Sequence, residues 1–115
     1  MKPLLASLLC IAALAVATPS NASYPIRAGT LLPDADTRFT FPIKGGEAFT
    51  VIVQGKGSPI VCAIGLVGGT EAILLDSKGA NCWGKFTAPK GGTAIYKLGL
   101  ANGGSDLLTY TLSVQ

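Results

Sequence analysis

The chain contains no histidine among its 115 residues. That removes the Ser-His-Asp and Cys-His arrangements, in which an imidazole takes the nucleophile's proton. It also removes the usual zinc and copper ligand. Charge is scarce as well. Asp, Glu, Lys and Arg together make up 13% of the sequence, so no strong electrostatic partner is implied. Six carboxylate side chains are present: Asp34, Asp36, Glu47, Glu71, Asp76 and Asp106. Most stand beside expected turns, where solvated carboxylates belong, and not as the converging pair that acid–base catalysis needs. The expectation is a protein that is not an enzyme and carries no cofactor.

Beyond residue 22 there is no apolar run approaching the roughly 20 residues of a membrane span. The one long run, Leu4 to Ala17, is interrupted only by Ser7 and follows Lys2. Ala15-Val16-Ala17 and Ser20-Asn21-Ala22 come after it. A basic start, an apolar middle and small-residue cut sites are the order of a secretory signal. Pro19 would end the helix of the apolar stretch, so cleavage is expected after Ala22, alternatively after Ala17. Cys10 follows Leu9, where lipid attachment would want a small residue, and is read as part of the signal. Asn21-Ala22-Ser23 fits a glycosylation sequon, but it straddles the cut and carries no weight. The expected location is periplasmic or secreted, with no membrane span after cleavage.

Residues 23–115 suffice for one domain. A domain this small buries only about 60–65% of its unfolded surface, so a covalent staple is useful. Cys62 and Cys82 are the two cysteines left, and an even count in an exported chain reads as a disulfide. Their spacing is not the Cys-x-x-Cys of a redox pair. The formal charge of +3 falls to +2 without Lys2. Lys44, Lys56, Lys78 and Lys90 are dispersed among glycine turns, unlike the basic stripe with interleaved aromatics of a nucleic-acid binder.

All 15 glycines lie beyond Ala22 and punctuate the chain, as at Gly45-Gly46, Gly68-Gly69, Gly91-Gly92 and Gly103-Gly104. Spacing of this kind matches the turns of sandwiches and barrels. Between the turns the pattern has period two. Leu108, Tyr110, Leu112 and Val114, for example, alternate with Thr109, Thr111, Ser113 and Gln115, as in a strand with one face in a core. Eight strands are expected near Ile26–Leu31, Arg38–Ile43, Ala48–Gln54, Ile60–Val67, Ala72–Asp76, Trp83–Thr87, Ala94–Leu100 and Leu107–Val114. The implied fold is an all-β antiparallel sandwich of seven to eight strands over 37–115, after an irregular lead-in over 23–36.

Four features are candidates for chemistry. Lys-Gly-Gly and Asn-Gly-Gly-Ser join strands, whereas a phosphate loop leads from a strand into a helix. Asp34 and Asp36 are weak calcium candidates, because a good site gathers six or more oxygens; a polar loop is the simpler reading. Trp83 is the third. With Cys82 pointing inward, the pleat sets Trp83 on the opposite face and Lys85 beside it. There it is either a platform for a sugar ring or protein partner, or a ring packed against the disulfide or over a sheet edge. Tyr24 is a further binding candidate, while Tyr96 shares parity with Leu98 and Leu100 and belongs in the core.

Gly29-Thr30-Leu31, Asp36-Thr37-Arg38-Phe39-Thr40-Phe41 and Gly45-Gly46-Glu47-Ala48-Phe49-Thr50-Val51 resemble the opening of bacterial pre-peptidase C-terminal domains. Phe86-Thr87-Ala88-Pro89, Ala94-Ile95-Tyr96-Lys97-Leu98 and Tyr110-Thr111-Leu112-Ser113-Val114 fit as well, so the resemblance spans about Gly29 to Val114. It implies a jelly-roll-like sandwich in exported proteins, non-catalytic, aiding secretion or binding carbohydrate or protein surfaces beside a hydrolase. This chain differs in having no enzyme domain beside it and in carrying Cys62 and Cys82. The resulting expectation is a binding module for a glycan or protein of the envelope or exterior, with no nucleic-acid partner. The alternative is an inhibitor or immunity protein that blocks a hydrolase through a rigid loop such as Gly55–Pro59.

Overall fold

The computed structural model describes residues 24–115. The segment expected to be a signal peptide, its expected cleavage sites, Cys10 and the sequon lie outside the described residues. Nine strands form among the described residues: β1 (Arg27–Leu31), β2 (Asp36–Ile43), β3 (Ala48–Lys56), β4 (Ile60–Leu66), β5 (Ile73–Leu74), β6 (Asp76–Lys78), β7 (Asn81–Thr87), β8 (Ala94–Asn102) and β9 (Leu108–Val114). They make two antiparallel sheets, ordered β1-β9-β3-β7-β6 and β2-β8-β4-β5. Strands β1 to β4 alternate between the sheets, the jelly-roll manner of wrapping one chain around two layers.

The cause is the alternation already visible in the sequence. Val51 and Val53 on β3, Leu98 and Leu100 on β8, and Leu108 and Leu112 on β9 are all buried between the sheets. One end of this core is aromatic. Phe49 packs on Tyr96 at 4.8 Å between centroids, on Phe86 at 5.6 Å and on Phe41 at 5.9 Å. Near the other end Cys62 of β4 and Cys82 of β7 form the expected disulfide, tying one sheet to the other across a Cα separation of 6.4 Å.

One expectation is corrected. The run Ala72–Asp76 is not one strand. Ile73–Leu74 pairs with β4 in the four-stranded sheet, while Asp76–Lys78 pairs with β7 in the five-stranded one. Leu75 is the corner: its side chain is buried and its amide donates to the Cys62 carbonyl. Three consecutive apolar residues, Ile73 to Leu75, cannot share one face of a pleat, and the chain changes sheet where the third turns inward. The strand expected near Ile26–Leu31 forms as Arg27–Leu31 and pairs along its length with β9. At that edge Gly29 is required by packing, because a Cβ there would lie 2.5 Å from the Tyr110 hydroxyl.

Strand β2 is an eight-residue edge, which would template aggregation if flat and apolar. Pro42, which has no ladder donor to lose at an edge, and the exposed Asp36–Arg38 pair at 3.9 Å blunt it.

Candidate functional site

The outer face of the five-stranded sheet is built by the same alternation that buries the inner one. On β7, Cys82 is fully buried and Trp83 is 42% exposed, so the pleat aims Trp83 outward together with Lys85. Among the described residues Trp83 is the one exposed aromatic side chain. Its cross-strand partners are Asp76 on β6 and Ile52 on β3, and Ile52 in turn faces Ser113 on β9. The next row contains Lys78, Asn81, Gln54 and Thr111. Asn81 is held there by its carboxamide oxygen, which accepts from the Gly55 amide at 3.1 Å. Lys85 is paired with Thr50, and Lys56 with Thr109.

Two shallow troughs interrupt this face. One, of about 610 Å³, is lined by Ala48, Thr50, Lys85, Thr87 and Gln115 along with Phe49 and Phe86. The other, of about 280 Å³, lies among Gln54, Lys56, Thr109 and Thr111. They flank the Trp83–Ile52 row, one toward each end of the strands. From the Ala48 row to Lys56 the face runs about 26 Å at roughly 3.3 Å per residue.

Tyr24 is not part of this face. It closes the gap between the sheets near β2, its hydroxyl donating to the Pro42 carbonyl and its ring 5.9 Å from Phe41. Burial, helped by the nearby Glu47 carboxylate, raises its pKa above the ordinary 10.0. Asp34 lies in the β1–β2 loop at a positive φ of 64°, and Asp36 begins β2. No cluster of three acidic or sulfur side chains that could hold a metal occurs among the described residues. Tyr96 is core, as its parity predicts.

The loop Gly55–Pro59 is fastened through Ser58 by a buried contact the sequence pattern does not show. Asn102, 4% exposed at the end of β8, fastens three segments. Its Oδ1 accepts from the Ser58 hydroxyl at 2.6 Å and from the Gly104 amide at 3.0 Å. Its Nδ2 donates to the carbonyls of Leu31 at 3.0 Å and Asp106 at 2.7 Å. Gly57 turns beside it with φ of 102°, a conformation open to glycine. Leu32 and Leu107 stand exposed on the loops so fastened.

Sequence reasoning placed Trp83 and Lys85 together on one outward face but did not place Ile52, Gln54, Lys56, Asp76, Lys78 and Asn81 beside them. Parity along β3 separates Ile52, Gln54 and Lys56 from the buried Val51 and Val53. Only strand order places them beside Trp83.

No protein-family model matches the chain, and no curated protein sequence matches it. Solved structures do. The fold is similar to the pre-peptidase C-terminal domain of a collagenase from Bacillus anthracis, with a TM-score of 0.67 and 19% identity, covering 79% of this chain and 88% of that one. It is also similar to PliG of Salmonella Typhimurium, a periplasmic inhibitor of g-type lysozyme, with a TM-score of 0.57, 16% identity and coverage of 85% and 90%. At these identities the likeness is one of fold. The resemblance read from the sequence thus holds at fold level, and the disulfide is the mark of an extracytoplasmic protein.

Proposed function

We propose that the protein is a non-catalytic binding module of the periplasm or cell exterior, holding a glycan on the outer face of its five-stranded sheet. One observation carries the reading: Trp83 stands exposed on β7, one strand in from the β6 edge of the sheet, among amide, hydroxyl and charged side chains. An indole face gives a sugar ring a broad apolar surface to stack on, and Asp76, Asn81, Gln54 and Thr50 offer hydrogen bonds at its rim. Replacing Trp83 with Ala should leave folding intact and weaken binding on a glycan array by about tenfold or more, the usual cost of truncating a central aromatic anchor. A Trp83→Ala protein that remains folded and binds as before would refute it.

A second reading, an inhibitor of a hydrolase, is favoured by the loop end that Asn102 fastens. Preorganised loops lose little entropy on docking, and Leu32 and Leu107 would supply apolar contacts there. Leu107→Asp should then abolish inhibition of a target hydrolase while Trp83→Ala does not.

A further inference from the structure

We infer that the glycan is anionic: an acidic polysaccharide laid along the strands, with Trp83 at its middle and Lys85, Lys78 and Lys56 contacting its negative groups. The inference rests on the reading of this face as a glycan site and adds the charge of the ligand.

Three observations carry it. The first is charge asymmetry. The outer face of the five-stranded sheet bears Lys56, Lys78 and Lys85 against a single carboxylate, Asp76. That excess equals the whole +2 of the chain without Lys2. The opposite outer face bears Arg38 and Lys97 with Asp36, and Arg38 is already 3.9 Å from that carboxylate. Lysines that look scattered along the sequence are thus collected on one surface by strand order.

The second is shape. Lys85 borders one trough and Lys56 the other, with the Trp83–Ile52 row between them. A linear polymer crossing Trp83 along the strands would pass both, over about 20 Å from Lys85 to Lys56. The third is the economy of aromatics. With one exposed ring, stacking has a single anchor on this face, and screened ion pairs supply what further rings would supply to a neutral chain. A protein partner fits less well, since protein interfaces are depleted of Lys and Ser and centred on larger apolar clusters. Here the large outward apolar residues are Trp83 and Ile52 alone.

Trp83 is also the sole tryptophan of the chain, so intrinsic fluorescence reports on this face directly. The purified protein is titrated with polygalacturonate, chondroitin sulfate, neutral dextran, single-stranded DNA and an acidic protein. Binding of the two acidic polysaccharides is expected, with a Trp83 emission shift that weakens as salt rises. Lys56→Gln, Lys78→Gln and Lys85→Gln combined should weaken that binding by about tenfold, three exposed charge contacts being lost. Lys97→Gln on the other sheet should change nothing. Equal binding of neutral dextran, insensitive to the triple substitution, overturns the anionic inference and leaves the glycan reading standing. Equal or stronger binding of DNA or the acidic protein overturns the inference in favour of a general polyanion or protein surface. Absence of binding to every polysaccharide overturns both readings.

Discussion

Replacing Asn102 with Ala should be among the most destabilising single substitutions in the loop end of the sandwich. The side chain makes four hydrogen bonds, to Ser58, Gly104, Leu31 and Asp106. Each is worth about 1 kcal/mol net, and a buried group left without a partner costs more. The bonds to Gly104 and Asp106 are only partly buried, so water replaces some of what is lost there. The bonds to Ser58 and Leu31 are buried, and water reaches them less easily. A loss of about 3 kcal/mol follows, equivalent to a drop in Tm of roughly 12–24 °C for a domain of this size. Urea unfolding followed by far-UV circular dichroism, with the disulfide intact in every variant, measures it. Ser58→Ala should cost about 1 kcal/mol and couple to Asn102→Ala by a similar amount in a double-mutant cycle. Asn102→Asp exchanges a two-proton donor for an acceptor facing two carbonyls, and at neutral pH should be at least as damaging. A loss below about 1 kcal/mol for Asn102→Ala would refute the view that this residue holds the three segments together.

Three other outcomes follow. Removing the disulfide by the double substitution Cys62→Ala, Cys82→Ala should lower stability by about 3 kcal/mol, the chain-entropy value for a loop of this size; equal urea midpoints would contradict it. Burial raises the pKa values of Tyr24 and Tyr110 above 10.0, so their neutral hydroxyls favour the fold. That stability is complete below pH 10 and is lost as pH rises through the folded-state values. A tyrosinate absorbance titration should therefore lag in the native protein relative to urea, and Tyr110→Phe should shrink the alkaline loss. Gly29→Val should cost about 1–3 kcal/mol by driving side-chain atoms into the Tyr110 ring, seen as a lower Tm; an unchanged Tm would mean that edge strand β1 yields freely.

Much of the fold was legible because burial here is one-sided. Phe49, Val51 and Val53 against Thr50, Ile52 and Gln54 give strand, face and length together, and the two cysteines could be paired by counting. What escaped was what depends on neighbours. Ala72–Asp76 has the composition of one strand, and only the demand to bury Leu75 while leaving Ile73 and Leu74 outside splits it. Asn102 sits at inward parity after Tyr96, Leu98 and Leu100, a polar residue where an apolar one is expected. That anomaly was readable, though its partners, 44 and 71 residues away in Ser58 and Leu31, were not. The candidate face behaved in the same way. Trp83 and Lys85 are adjacent on one strand and could be seen together, whereas Lys56 and Lys78 reach the same surface only through the order β3-β7-β6.

The bond between Cys62 and Cys82 also turns the stretch that changes sheet into a closed ring of chain. A protease that cuts within it, for instance at the exposed turn Gly68–Gly69, makes two peptides and still one molecule, until a reductant separates them. Under tension applied at the chain's ends the ring does not pay out. The 20 steps between the cysteines, at roughly 3.3–3.6 Å each, remain hidden behind a link of 6.4 Å. The oxidised protein should therefore extend about 60 Å less than the reduced one, with β5 and β6 inside the part that force cannot reach.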